Sequence, residues 1–373
     1  MNKALPDKLE RIILVNPTKY LGNLLLAGGL IQSWVGHCLA KNIAFKIVLD
    51  ESFHDLCQHS FPDNSDIYFP RQRINKAGLV QKARLYNGAI RKLRDFDADL
   101  AFNIEEDSAT SHLTRLSGAA YKLGCSKSRH NKGYDHVIPV DFENRPEHQR
   151  HRWYSYYEVF AALGLPQPSE PSYIDLHLPQ MDNSLTEKLQ SRGVDFSKPL
   201  IALHAGATKD YKKWPLPYFA ELCSLVLNAG MQPLLLGAGT SDRENNQQIL
   251  SALASSKQAG KVIDVCDQLS LYELAILLSA CAYMVGNDSG PFHLGSALGI
   301  PGSVIWGPTN ESIWGPLGDQ SEVVRSDFKC APECSKGHCL NSYQCLKDIS
   351  PQSVFNKINC NALRILPDNK KSY

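Results

Sequence analysis

No stretch of this 373-residue chain reaches the about 18 uninterrupted apolar residues that a membrane-spanning helix needs. Residues 20–40 come nearest, but Asn23, Gln32 and His37 interrupt them and glycines punctuate them. The opening segment MNKALPDKLERIILVNP lacks the apolar core of a secretory signal, so a cytoplasmic protein is expected. A charge excess is missing too. The 39 Lys and Arg face 38 Asp and Glu, a formal net of +1 that speaks against a nucleic-acid partner. No internal repeat of about 20–50 residues is visible, which argues against a solenoid. The segment CAPECSKGHCLNSYQC lacks the C-x2-C knuckle with which zinc sites usually begin. Its Cys330, Cys334, Cys339 and Cys345, with His338 among them, leave a structural metal, a local disulfide and free thiols all open. The other seven of the eleven cysteines are scattered and are expected to pack as small buried hydrophobes.

What is present is a doubly wound α/β pattern. The length exceeds one typical core, so two domains are expected. In the second half, PLIALHAG, MQPLLLG, KVIDVC, YMVGN and GSVIWG read as short buried strands. Helices alternate with them: Pro217–Ala229 stopping at Gly230, a helix to about Ser256, Leu271–Ala282 and Pro291–Leu298. Ser241 with Glu244, and Ser270 with Glu273, have capping-box spacing. The first half follows the same grammar, with strands RIILVNP, AFKIVLD and ADLAFNI and helices at Asn23–Ala40, 79–94 and Thr110–Leu123. Residues 1–165 and 199–348 then form the two Rossmann-like domains. The Pro-rich stretch 166–198 connects them, and a helix started by Ser350-Pro351 opens the tail 349–373.

Doubly wound sheets bind ligands beyond the carboxyl ends of their strands. With two such domains facing a central cleft, three turns stand out: Asn16–Asn23, HAGATKDYKKWP (204–215) and GNDSGPFH (286–293). In the last, Asp288 or Ser289 is placed to N-cap a helix whose free N–H groups and dipole favour an anion, and Gly290 admits a ligand close to the backbone. Residues 71–94 hold eight Lys/Arg and no acid, a stretch suited to phosphates or an anionic membrane surface.

HAGATKDYKKWP, then NDSGPFHLGSALGIP and WGPTN, resemble the heptosyltransferase-type glycosyltransferases of family 9 over residues 199–320. FDADLAFNIEED, LSGAAYKLGCSK and CLKDISPQSVFNKI extend the likeness over most of the chain. The resemblance implies a GT-B fold and an inverting, metal-independent transfer of a heptose or related sugar from an ADP-sugar, with no cofactor. The implied acceptor is the anionic inner core of lipopolysaccharide, met at the inner-membrane surface. It places Gly206, Thr208, Lys212, Asp288, Ser289, Gly290 and His293 at the donor, with Glu244 in reach of the ribose. Arg91, Lys92 and Arg94 are expected on the acceptor side. The D-x-D match at Asp97–Asp99 sits at the start of an expected strand and is read as accidental.

One position departs from the family. Where its first turn usually carries Gly-Asp, with the Asp as general base, this chain has Asn23, and an amide cannot take the proton. Glu105, Glu106 and Asp107, after the strand 99–104, are the candidate substitutes. The competing readings are a catalytically impaired nucleotide-sugar-binding or scaffold protein and, less in keeping with the basic stretch, a sugar-nucleotide epimerase.

Overall fold

The structure, a computed structural model, describes residues 5–6, 8–105, 107–125, 133–140, 150–254, 258–328, 339 and 341–365. The chain divides into two compact units, 1–177 and 178–373. Each is built on a six-stranded parallel sheet. Together they give the α/β architecture of the GT-B class.

Unit 1 runs β1 Arg11–Val15, α1 Leu21–Ala40, β2 Ala44–Asp50, α2 His54–Cys57, β3 Asp66–Phe69 and α3 Arg71–Lys76. It continues with α4 Leu79–Asp95, β4 Leu100–Asn103, α5 Ser108–Leu116, β5 Tyr121–Cys125, β6 His136–Ile138 and α6 Arg152–Ala162. The strand order β3-β2-β1-β4-β5-β6 reverses direction between β1 and β4. The stretch expected as one helix, Thr110–Leu123, is a helix followed by a strand. Gly118 at φ +85° ends the helical path, and YKLGC then pairs with β4. A helix-like apolar run had hidden an interior strand, because continuous burial removes the alternation that marks one.

The adjacent Gly28 and Gly29 of α1 have a packing cause. A Cβ on Gly28 would stand 2.4 Å from Ile174 Cβ, and one on Gly29 2.5 Å from the Ser172 carbonyl. Through this notch the chain after LPQPSEPS crosses α1, with Ile174 N–H donating to Leu25 O at 3.2 Å. The Gln32 amide holds Asp175 through both its N–H, at 2.8 Å, and its carbonyl, at 2.9 Å. Part of the expected connector is therefore packed onto unit 1.

Unit 2 holds α7 Asn183–Gln190, β7 Leu200–His204, α8 Leu216–Asn228, β8 Gln232–Leu235, α9 Thr240–Leu253, β9 Ile263–Asp264 and α10 Leu271–Ser279. Then come β10 Tyr283–Asn287, α11 Gly290–Ala297, β11 Gly302–Ile305, α12 Glu311–Trp314, β12 Ser321–Val324, α13 Gln344–Lys347 and α14 Pro351–Ile365. Its order, β12-β11-β10-β7-β8-β9, reverses between β7 and β10. Ser270 and Glu273 form the reciprocal capping box that their spacing predicts. Ser241 and Glu244 do not, since α9 starts from Gly239 without a side-chain cap and leaves Glu244 exposed. Six of the seven scattered cysteines are buried as expected, whereas Cys360 lies on the exposed side of α14. Cys345 is buried and Cys339 partly exposed, and Cys330, Cys334 and His338 lie outside the described residues.

Candidate functional site

In unit 2 the three motif segments converge where the sheet order reverses. Asn287, fully buried at the end of β10, donates from Nδ2 to the Ala205 carbonyl at 2.8 Å. Its Oδ1 accepts from the Trp214 backbone N–H at 2.9 Å. One amide thus fastens both ends of the loop 205–214. The Trp214 indole, itself buried, donates to Ile349 O at 3.0 Å and holds the loop from the other side.

That loop delivers Lys212, whose Nζ lies 2.5 Å from Asp288 Oδ2. Thr309, from the WGPTN segment, donates to the same carboxylate oxygen at 3.3 Å. Asp288 is buried and Lys212 only slightly open, so the charge attraction is weakly screened. Gly307 is required where this segment passes the loop, because a Cβ there would be 2.9 Å from Tyr211 O.

The expected side-chain cap of α11 is absent. Asp288 turns to Lys212, and Ser289, although at the N-cap position, makes no capping hydrogen bond. Its hydroxyl meets His204 Nδ1 at 3.0 Å instead. The first amides of α11 are consequently left without a side-chain partner of their own helix, the arrangement that suits an incoming anion. Gly290 forms the first turn beside them, and His293 is buried one turn in. Thr208 is exposed on the loop, and Gly206 is buried at its base.

Asp242 was not anticipated. Its Oδ2 lies 3.4 Å from His204 Nε2 and accepts from Ala238 N–H at 3.0 Å. Burial works to raise its pKa, but the interactions with His204, the Ala238 N–H and the Lys213 charge together outweigh it, and the net direction is downward. A Cβ on Gly206 would stand 2.1 Å from Asp242 Oδ1, so this glycine is needed for close approach. The sequence signal was available in GAGTSD, where a glycine turn precedes an acid in the first helical turn, but the capping-box reading drew attention to Glu244.

Unit 1 has its own cluster at the β1/β4 reversal. Asn23 sits in the first turn of α1, partly exposed. Glu105, buried after β4, accepts from the Tyr156 hydroxyl at 3.0 Å. Burial holds its carboxyl above the usual range, partly offset by the Arg152 charge and by hydrogen bonds from Tyr156 and Thr18. Asp107 is a helix cap, accepting from Ala109 N–H at 2.8 Å, Thr110 N–H at 3.0 Å and the Thr110 hydroxyl at 2.6 Å. Glu106 lies outside the described residues. Asp99, from the D-x-D match, binds the Glu10 and Arg11 amides at 2.8 and 2.9 Å, a structural task.

The basic stretch is less uniform than its composition. Arg71 pairs with Asp50 at 2.8 Å and Arg73 with Glu51 at 2.9 Å, acids supplied from earlier in the chain. Arg94 Nε donates to Leu116 O at 3.1 Å. Arg91 and Lys92 are exposed on α4.

Residues 88–344 match the model of glycosyltransferase family 9 (heptosyltransferase). The chain belongs to this family. Lipopolysaccharide heptosyltransferase 2 of Salmonella typhimurium is 34% identical over 205 residues, 53% of this chain and 56% of that protein. The chain spans about half the length of the curated relatives it matches. Among solved structures, a family 9 glycosyltransferase from Veillonella parvula superposes with a TM-score of 0.75 at 21% identity, covering 95% of this chain and 98% of its own. An E. coli heptosyltransferase solved with ADP-2-deoxy-2-fluoro heptose gives 0.65 at 20% identity, covering 94% and 99%. These likenesses support the family 9 fold.

Proposed function

We propose that the chain is an inverting glycosyltransferase that moves a heptose, or a related sugar, from an ADP-sugar to the inner core of lipopolysaccharide at the inner-membrane surface. The observation that carries this reading is the Lys212–Asp288 pair beside the uncapped start of α11. A donor diphosphate entering there competes with Asp288 for Lys212 and takes the free amides of α11. Asp288 is then available to a sugar hydroxyl, since a carboxylate facing a diphosphate would be repelled. The acceptor hydroxyl attacks the anomeric carbon and gives its proton to a general base or, without one, to solvent, the bond from that carbon to the β-phosphate oxygen breaks, and ADP leaves with the electron pair. Charge growing on that oxygen is met by the lysine and the helix amides, which supply the counter-charge without calling on a divalent ion. The family name and the donor-like ligand of the E. coli relative support the donor class.

Lys212→Ala should weaken ADP binding, measured by calorimetry, by roughly 10–150-fold, the equivalent of a lost charge-assisted hydrogen bond of about 1.5–3 kcal/mol. Adenosine affinity should not change. The variant also strands the Asp288 carboxylate, so the same comparison is made with Asp288→Asn added. Equal losses for ADP and adenosine would remove Lys212 from the phosphates.

On the acceptor side, Arg91→Gln with Lys92→Gln and Arg94→Gln is expected to raise the KM for an anionic lipid acceptor several-fold, about what rim charges contribute. The salt dependence of that KM should fall, and donor affinity should hold. Arg91 and Lys92 should carry most of the effect, because Arg94 is engaged with Leu116 O. A KM indifferent to substitution and salt would reduce this face to solvated surface.

A second reading has one observation in its favour. The family resemblance puts Asn23, in the first turn of α1, where the family base would stand, which suits a slow transferase or a donor-binding protein. Restoring the acid separates this from full activity.

A further inference from the structure

The first turn and a half of α4 projects from unit 1. All residues from Gly78 to Arg84 are exposed, although Leu79 and Val80 stand first in the helix at 87% and 78% exposure. Two adjacent aliphatic side chains so fully in water are not the scattered apolar residues of an ordinary surface. Lys76, Lys82 and Arg84 surround them, all exposed, and no acidic residue occurs between 71 and 94. Helical spacing continues the pattern. Val80, Arg84 and Arg91 follow one another at four- and seven-residue steps, so they line one open face, while Ala89, Ile90 and Leu93 bury the opposite one.

We propose that this tip docks on an anionic phospholipid bilayer. Leu79 and Val80 enter the headgroup and upper acyl region, and Lys76, Lys82, Arg84 and Arg91 lie along the phosphates. The charge pattern selects the occupant. A protein partner would have to match an apolar pair ringed by cations, whereas an anionic bilayer offers negative charge above and hydrocarbon below at the required depth. The long Lys and Arg stems suit this, since they keep their heads at the phosphates while their methylenes cover apolar surface. The inference rests on the inner-membrane setting proposed above and names the surface that meets the bilayer; vesicle binding is measured without donor or acceptor, so loss of docking and loss of transfer are read separately.

The test is sedimentation of the whole chain with vesicles of phosphatidylglycerol and phosphatidylethanolamine, compared with phosphatidylcholine vesicles. Wild type should bind the anionic vesicles at least about tenfold more tightly, with the preference shrinking as salt screens it. Leu79→Ser with Val80→Ser should weaken anionic-vesicle binding by about tenfold or more, leaving the thermal midpoint unchanged because neither side chain is packed. Lys76→Gln, Lys82→Gln and Arg84→Gln together should lose the salt-sensitive part. Equal binding to both vesicle types, or a serine variant that binds like wild type, would overturn the proposal. So would a serine variant whose only change is its own oligomeric state, which would mark the tip as a contact between copies.

Discussion

Asn23→Asp is expected to raise the rate of sugar transfer by about 10²–10⁴-fold, the usual contribution of a general base. The substitution changes an amide to a carboxylate of nearly the same shape at the first turn of α1, so the fold should be unaffected. The expectation rests on what the neighbouring acids are already doing. Asp107 spends its oxygens on the start of α5, with three donors within 3.0 Å. Both oxygens are therefore engaged with donors of the α5 start, not with an acceptor hydroxyl. Glu105 has a carboxyl that burial holds above the usual range, but it is enclosed in unit 1 and accepts from the Tyr156 hydroxyl, so its place and not its basicity counts against it. The measurement is initial transfer rate to a lipopolysaccharide core acceptor, with ADP release without acceptor as the control. An unchanged rate in an active wild type would place the base elsewhere, and Glu106→Gln would then be the variant to examine. A wild type and an Asn23→Asp variant both inactive on every acceptor would sink the transferase reading and leave a donor-binding protein.

Asn287→Leu should destabilise unit 2 by roughly 2–6 kcal/mol, since two buried backbone groups lose their partner at about 1–3 kcal/mol each. Those groups are the Ala205 carbonyl and the Trp214 N–H, at the two ends of the loop that carries Lys212. Denaturant unfolding gives the stability, and ADP affinity measured well below the unfolding midpoint reports the loop. Both should fall together. Asn287→Asp keeps the acceptor for Trp214 N–H but loses the donor to Ala205 O, so its loss should be intermediate in both measurements. A leucine variant as stable as wild type would show that the loop is held by Trp214 packing alone.

The two sheets were legible because parallel strands buried on both faces are short runs of Val, Ile and Leu, and their helices carry local stop signals. RIILV, AFKIVLD, LIALH and YMVGN all became strands where expected. Pro351 and the Ser270–Glu273 box marked helix starts correctly, because a cap is decided within four residues. YKLGC failed for the converse reason. Its state depends on pairing with β4, a partner about twenty residues away in the chain, and nothing local distinguishes it from the end of a helix.

The candidate donor site divides along the same line. Residue order and type in HAGATKDYKKWP, NDSGPFH and WGPTN determined that a lysine, a helix start and a hydroxyl would be available near strand ends, whereas the expected side-chain cap of that helix did not form. Only the tertiary structure decided who pairs with whom. Asp288 reaches across to Lys212, Ser289 turns to His204, and Asp242 rather than Glu244 joins the cluster. A cap and an ion pair compete for the same carboxylate, and the outcome depends on which charge the fold brings within reach. That choice is set by the β10-to-β7 reversal and the Asn287 clasp, both contacts between segments about eighty residues apart. Sequence could also show that residues 71–94 hold no acid, but not that Asp50 and Glu51 come from outside to pair Arg71 and Arg73. Local chemistry is written in neighbouring residues, whereas pairing between distant charges requires the sheet that brings them together.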